Sequence, residues 1–147
     1  MIRIHIPGDP HAQGRARACR AGKHVRVYDP DDSRNWKATA QQHMADALVK
    51  LDRPWGLETA MDVDILAVFP CPKSDYRKRI PRPRRWHTKS RGDVDNIAKS
   101  VLDAANGVLW KDDCQVAILN VVKLIGAQGE LPYVEVRIKG LDIDEPY

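Results

Sequence analysis

A chain of 147 residues, 43% hydrophobic and 30% charged, suits one domain with one core, and no apolar run approaches the ~18 residues of a membrane-crossing helix. Its formal charge of +4 is unevenly held: from Lys73 to Arg91 nine basic residues face one acid, Asp75, so that segment carries +8 and the remainder −4. Three cysteines, Cys19, Cys71 and Cys114, are odd in number and widely spaced, which excludes a disulfide framework and a paired-ligand zinc site; with no secretory leader pattern at the N-terminus, a reducing cytoplasm is expected.

Residues 2 to 6 alternate Ile2, Ile4 and Ile6 with Arg3 and His5, the pattern of a half-buried strand. Pro7, Gly8 and Pro10 end it. Residues 11 to 24 are rich in Gly, Ala and Arg without a period and predict a basic loop or loose hairpin running into a strand at 25 to 28. The stretch 29 to 33 offers side-chain acceptors for a helix start, and Trp36, Ala40, Met44, Ala47, Leu48 and Leu51 predict one apolar helical stripe over 34 to 50. Residues 60 to 69 read as a strand with Met61, Val63, Ile65, Ala67 and Phe69 inward, which explains Asp62 and Asp64 as its solvent side.

Pro70, Pro72, Pro81 and Pro83 frame the basic segment, and because proline lacks the amide N–H and disfavours helix, a mobile or extended loop is expected over 72 to 91. Val94, Ile97, Ala98, Val101, Leu102 and Ala105 then give a second helix, about 95 to 106, with Gly107 placed as its left-handed cap. Residues 115 to 124 and 133 to 139 are β-rich and are expected to form a hairpin through 126 to 132. The order predicts a single α+β domain, with two main helices on one face of a mixed, mainly antiparallel sheet.

Concentrated basic charge on an otherwise acidic body points to a polyanion, since each phosphate neutralised releases counterions. The candidate DNA-binding residues are Arg15 and Arg17 near the N-terminus and Lys73, Arg77, Lys78, Arg79, Arg82, Arg84, Arg85, Lys89 and Arg91 in the proline-framed segment. Four carboxylates border the second helix: Asp93 and Asp95 at its start, Asp112 and Asp113 past its end. Residues two apart in an extended stretch project the same way, so Asp93 and Asp95 can converge, and Asp113 can join them if the chain folds back. Such oxygen donors suit Mg²⁺, which keeps waters and takes few protein ligands. Lys99, one turn beyond Asp95, is placed to meet a phosphate. The plainer alternatives are a capping role for Asp93, an Asp95–Lys99 ion pair, turn positions for Asp112 and Asp113, and a structural pairing of Asp103 with Lys99; Asp112 reads equally as a turn residue or a second ligand.

The run Gly92-Asp93-Val94-Asp95-Asn96-Ile97-Ala98-Lys99 with Asp112-Asp113-Cys114-Gln115-Val116 resembles the signature of the RusA family, a D-x-D-N-x-x-K helix followed by a D-D-x-Q-V turn. The resemblance is tight over about 25 residues, extends to Pro72 to Tyr76 and His87 to Lys89, and over the first 60 residues holds only in the order of elements. It implies a RusA-like fold and a Mg²⁺-dependent Holliday junction resolvase, with Mn²⁺ a possible substitute, acting as a homodimer on four-way DNA and encoded by a bacterium or phage. Asp93, Asp95 and Asp113 then correspond to the metal ligands and Lys99 to a further catalytic residue. Gly92 departs from the pattern, because many members carry proline there. The competing expectations are a less selective flap or fork nuclease and a non-catalytic DNA-binding module.

Overall fold

The computed structural model describes residues 1–14, 17–28, 30–51, 55, 58–89 and 92–141. The first alternating stretch is strand β1, Ile2–Pro7, with its isoleucines buried and Arg3 and His5 exposed. The basic region that follows is a two-stranded hairpin, β2 at Arg17–Ala21 and β3 at His24–Tyr28, turned at Gly22 with φ +64°. Among the described residues it pairs with no strand outside itself.

Helix α1 spans Asp31–Val49 and starts three residues before the apolar stripe does. Pro30 occupies the N-cap, and among the described residues no side chain caps the helix. Ser33, expected among the capping acceptors, instead turns inward, where its hydroxyl meets His11 Nε2 at 2.9 Å. Ala40 and Met44 are buried as the stripe requires, with Trp36, Ala47 and Leu48 packed beside them.

Strand β4 is Ala60–Phe69, and helix α2 is Val94–Ala105. Gly107 follows α2 with φ +75°, the left-handed conformation expected at that cap. Between them lies a short strand β5, Arg85–Trp86, and beyond α2 come β6, Val116–Ile125, and β7, Tyr133–Leu141. The five-stranded sheet runs β1-β7-β4-β6-β5. The hairpin expected between β6 and β7 does not form: β6 lies parallel to β4, and β7 crosses to its other side to run antiparallel to both β4 and β1. Both strands are apolar enough to seek burial, and pairing each with β4 places that strand at the centre of the sheet. All the other pairings are antiparallel, which makes this an α+β domain with a mixed, mainly antiparallel sheet.

Ile4, Val63, Ile65, Val136 and Ile138 from the sheet meet Met44 of α1 and Ile97 and Val101 of α2 in one core, closed by Trp110. No helix among the described residues is long and apolar enough to cross a membrane. The opposite sheet face carries Asp64, exposed and bonded to Asn120 Nδ2 at 2.9 Å, and the half-buried Asp62, as the alternation predicts. On that face Glu135 is buried between Arg3, at 2.6 Å, and Arg137, at 2.8 Å.

Candidate active site and nucleic-acid interface

Asp93 stands at the N-cap of α2 in an extended conformation, φ −67° and ψ 147°, yet its carboxylate makes no capping bond. The helix begins one residue earlier than expected, so Asp95 lies in its first turn, where the unsatisfied N–H groups and the helix dipole favour negative charge. Lys99 follows one turn on, and Asp93, Asp95 and Lys99 are all exposed. Among the described residues none of the three enters an ion pair or a side-chain hydrogen bond, so neither the capping role nor the Asp95–Lys99 pair is realised. Asp103 pairs instead with Lys37 of α1, Nζ to Oδ2 at 3.9 Å.

Three contacts fix this helix end from outside. Lys123 of β6 donates from Nζ to the carbonyl of Gly92 at 2.9 Å and to that of Lys89 at 3.4 Å. Gly92 takes φ +72°, and a side chain there would meet the Phe69 ring at 3.2 Å. Proline, with φ locked near −65°, has no access to that conformation, so this chain approaches Asp93 by a different backbone path from one carrying proline. On the other side the amide of Gln13, ahead of the β2–β3 hairpin, donates to the carbonyl of Asn96 at 2.9 Å near the start of α2. Sequence reasoning gave Lys123 no role. Its signal is a single lysine on the helix-facing side of an apolar strand.

Asp112 and Asp113 precede β6. Asp112 closes a reciprocal turn: its carboxylate accepts from Cys114 N at 3.0 Å, which holds it below the usual carboxylate range, and Gln115 Oε1 accepts from the Asp112 amide at 3.1 Å. Asp112 thus serves this turn through its Oδ1. Asp113 is exposed at the end of β6 where β4 begins, since Met61 pairs with Val116 and Gln115 Nε2 donates to Thr59 O at 3.1 Å. Gly92, by contrast, abuts Phe69 at the far end of β4. The expected convergence is therefore absent: among the described residues no three His, Cys, Asp or Glu side chains are grouped to hold one metal ion. What fits a hard cation is the Asp93–Asp95 pair, because Mg²⁺ binds through one or two carboxylates, waters and substrate phosphate.

The basic segment is extended, as the prolines predict, but it is anchored. A 3-10 turn spans Lys73–Asp75, and Gln128 ties the rest by accepting from Arg77 N at 2.8 Å and Arg82 N at 3.3 Å and donating its own amide to Arg82 O at 2.9 Å. Arg84 forks onto Glu130, Nε to the two carboxylate oxygens at 2.9 and 3.0 Å, which raises the guanidinium pKa and holds Glu130 below its ordinary value. Arg85 pairs with Asp75. These two side chains are thus engaged within the protein. Lys73, Arg77, Lys78, Arg79 and Lys89 are exposed, and Arg82 is partly buried with its Nε unpartnered. Arg17 is exposed on β2, while Arg15 and Arg91 fall outside the described residues. All three cysteines are free, Cys71 buried and Cys19 and Cys114 exposed.

A helix start whose two carboxylates and lysine have no partner among the described residues, in a chain that also carries an anchored basic segment, is an arrangement suited to a phosphodiester. Residues 7–139 match the sequence profile of the family described as Endodeoxyribonuclease RusA. The chain is also 31% identical, over 144 residues that cover 94% of it and 95% of the relative, to a Bacillus subtilis (strain 168) protein described as the uncharacterized protein YqaN. A profile match across most of the chain, with the family motif seated on the start of α2, establishes that this protein belongs to the RusA endodeoxyribonuclease family.

Proposed function

We propose that the chain is a Mg²⁺-dependent, structure-specific endodeoxyribonuclease that resolves four-way DNA junctions by paired, symmetric nicks as a homodimer. The observation that carries the reading is the presentation of Asp93, Asp95 and Lys99 at one helix start, within the motif of a DNA-cleaving family, with no partner among the described residues to occupy them. Asp93 and Asp95 hold the cation. When bound, Mg²⁺ would supply charge neutralisation at the phosphate and a more acidic water. Lys99 places its ammonium beside the phosphate, and the positive end of α2 adds a field of the same sign. The exposed cations of residues 73–89 and of the hairpin bind the flanking backbone, and Arg84 and Arg85 hold the segment in shape. Asp113 stays a proposed third ligand on its motif match alone.

The test uses synthetic junctions. With Mg²⁺ the protein cuts a four-way junction at two symmetric positions and leaves linear duplex intact, and Asp95→Asn abolishes cutting while junction binding persists. Normal cutting by Asp95→Asn would falsify the metal assignment. Equal rates on flap, fork and junction would replace junction resolution with a broader nuclease activity, and tight binding without cleavage in Mg²⁺ or Mn²⁺ would leave only a binding module.

A further inference from the structure

Beside Gly92, at the end of β4 nearest Asp93, lies a cavity of about 510 Å³ that the proposed chemistry does not use. Its walls are apolar: Phe69, Pro10, Pro70, Pro72 and Ile125. Three polar side chains reach it, Asp9, His87 and Lys89. His87 is only 8% exposed, and its ring packs on Phe69 with centroids 4.6 Å apart. Its Nδ1 is shut away from solvent without a partner, which leaves Nε2 as the ring nitrogen able to meet an occupant. Burial, followed by the nearby charge of Lys123, pulls the imidazole below its ordinary pKa, so it presents a neutral edge.

We infer that this cavity receives one unpaired nucleobase of the branched DNA, so that the enzyme recognises a branch by a base already free to leave the stack; this rests on the nuclease reading above. A flat, mostly apolar group with polar edges matches an aromatic and proline wall carrying one imidazole nitrogen. A phosphate matches less well, because the walls are mostly apolar and, among the described lining residues, the carboxylate of Asp9 offsets the ammonium of Lys89. Position supports the assignment as well, since Gly92 forms part of the cavity and the next residue is Asp93. Drawing a base out of intact duplex costs a few kcal/mol and least where the base is already unpaired, so such a receptor discriminates junction from duplex without reading sequence.

The experiment places 2-aminopurine singly at each nucleotide around the crossover and follows its fluorescence on binding without divalent metal. One position should respond in the junction and not in the matching duplex. Ala12→Phe, which fills the cavity from its wall, should erase that response and lower the junction-to-duplex affinity ratio by about tenfold. Pro72→Trp blocks the cavity from an exposed position, so a misfolded Ala12 variant leaves a second measurement in hand. The inference is overturned if no position responds, or if a folded blocking variant keeps both the response and the ratio. Cleavage scored separately divides the two ideas: cutting without a site-specific response removes the base receptor, whereas a response without cutting removes the nuclease reading.

Discussion

Gly92 is a residue whose replacement should be felt in both stability and activity. Its φ of +72° costs a residue with a side chain about 1–2 kcal/mol, and the added carbon would press on Phe69 at 3.2 Å. Gly92→Ala should therefore lower the unfolding free energy by about 1–3 kcal/mol, read by denaturant titration, and slow cleavage by displacing Asp93. His87 gives a pH signature. Its folded pKa lies below the ordinary 6.5, through burial first and Lys123 next, so between those values the unfolded chain binds the extra proton. The stability from keeping it neutral is complete above the unfolded value and is lost as pH falls through it toward the folded one. Wild type should lose more unfolding free energy between about pH 7 and 5.5 than His87→Gln does, and parallel curves would count against that assignment. Asp113→Asn is the third informative change: if Asp113 completes the metal site, cutting of a junction falls as it does for Asp95→Asn, and near-normal cutting limits the site to Asp93 and Asp95.

At the scale of elements, the β2–β3 hairpin separates binding from folding. Its strand residues Arg17, Arg20 and Arg26 are exposed, Val25 and Val27 are 69% and 66% exposed, and none belongs to the core. An isolated two-stranded ribbon is marginal in water, so this one would gain both order and use from a bound partner. Replacing Arg17, Arg20 and Arg26 with Ala should change stability by no more than about 0.5 kcal/mol, yet reduce the salt slope of junction binding by about 2 to 3. The sequence showed the second half of this element as a strand at 25 to 28 and the first half only as a basic loop or loose hairpin, because the alternation of β2 carries no buried face to give it a period. The strands and helices with a buried face were legible to within a few residues, β4 over its full length. Their pairing was not. Nothing in the run from Val116 to Ile125 distinguishes a hairpin partner from a strand lying parallel to β4, since both bury the same residues. The motif likewise placed Asp93, Asp95 and Lys99 together at one helix start, as the structure has them, while the position of Asp113 at the start of β6 followed from that parallel pairing and could not be read before it.

For the whole molecule the decisive question is how one small domain would make the two cuts of the proposed reaction. The described chain presents one Asp93–Asp95 pair, at the start of one helix. Two symmetric nicks in opposing strands of a four-way junction need two such pairs related by a twofold axis, matching the twofold symmetry of the DNA. The protein should elute, with its mass read by light scattering, at about twice the 16.6 kDa of a single chain. The sharper measurement mixes wild type with excess Asp95→Asn and presents a junction held in a supercoiled plasmid. A mixed dimer has one working site, so it should nick one strand and relax the circle, while linear product, which requires both cuts within one binding event, falls with the square of the wild-type fraction. If linear product instead falls in direct proportion to that fraction, each chain cuts on its own and the paired mechanism fails, even with every residue of the site correctly assigned.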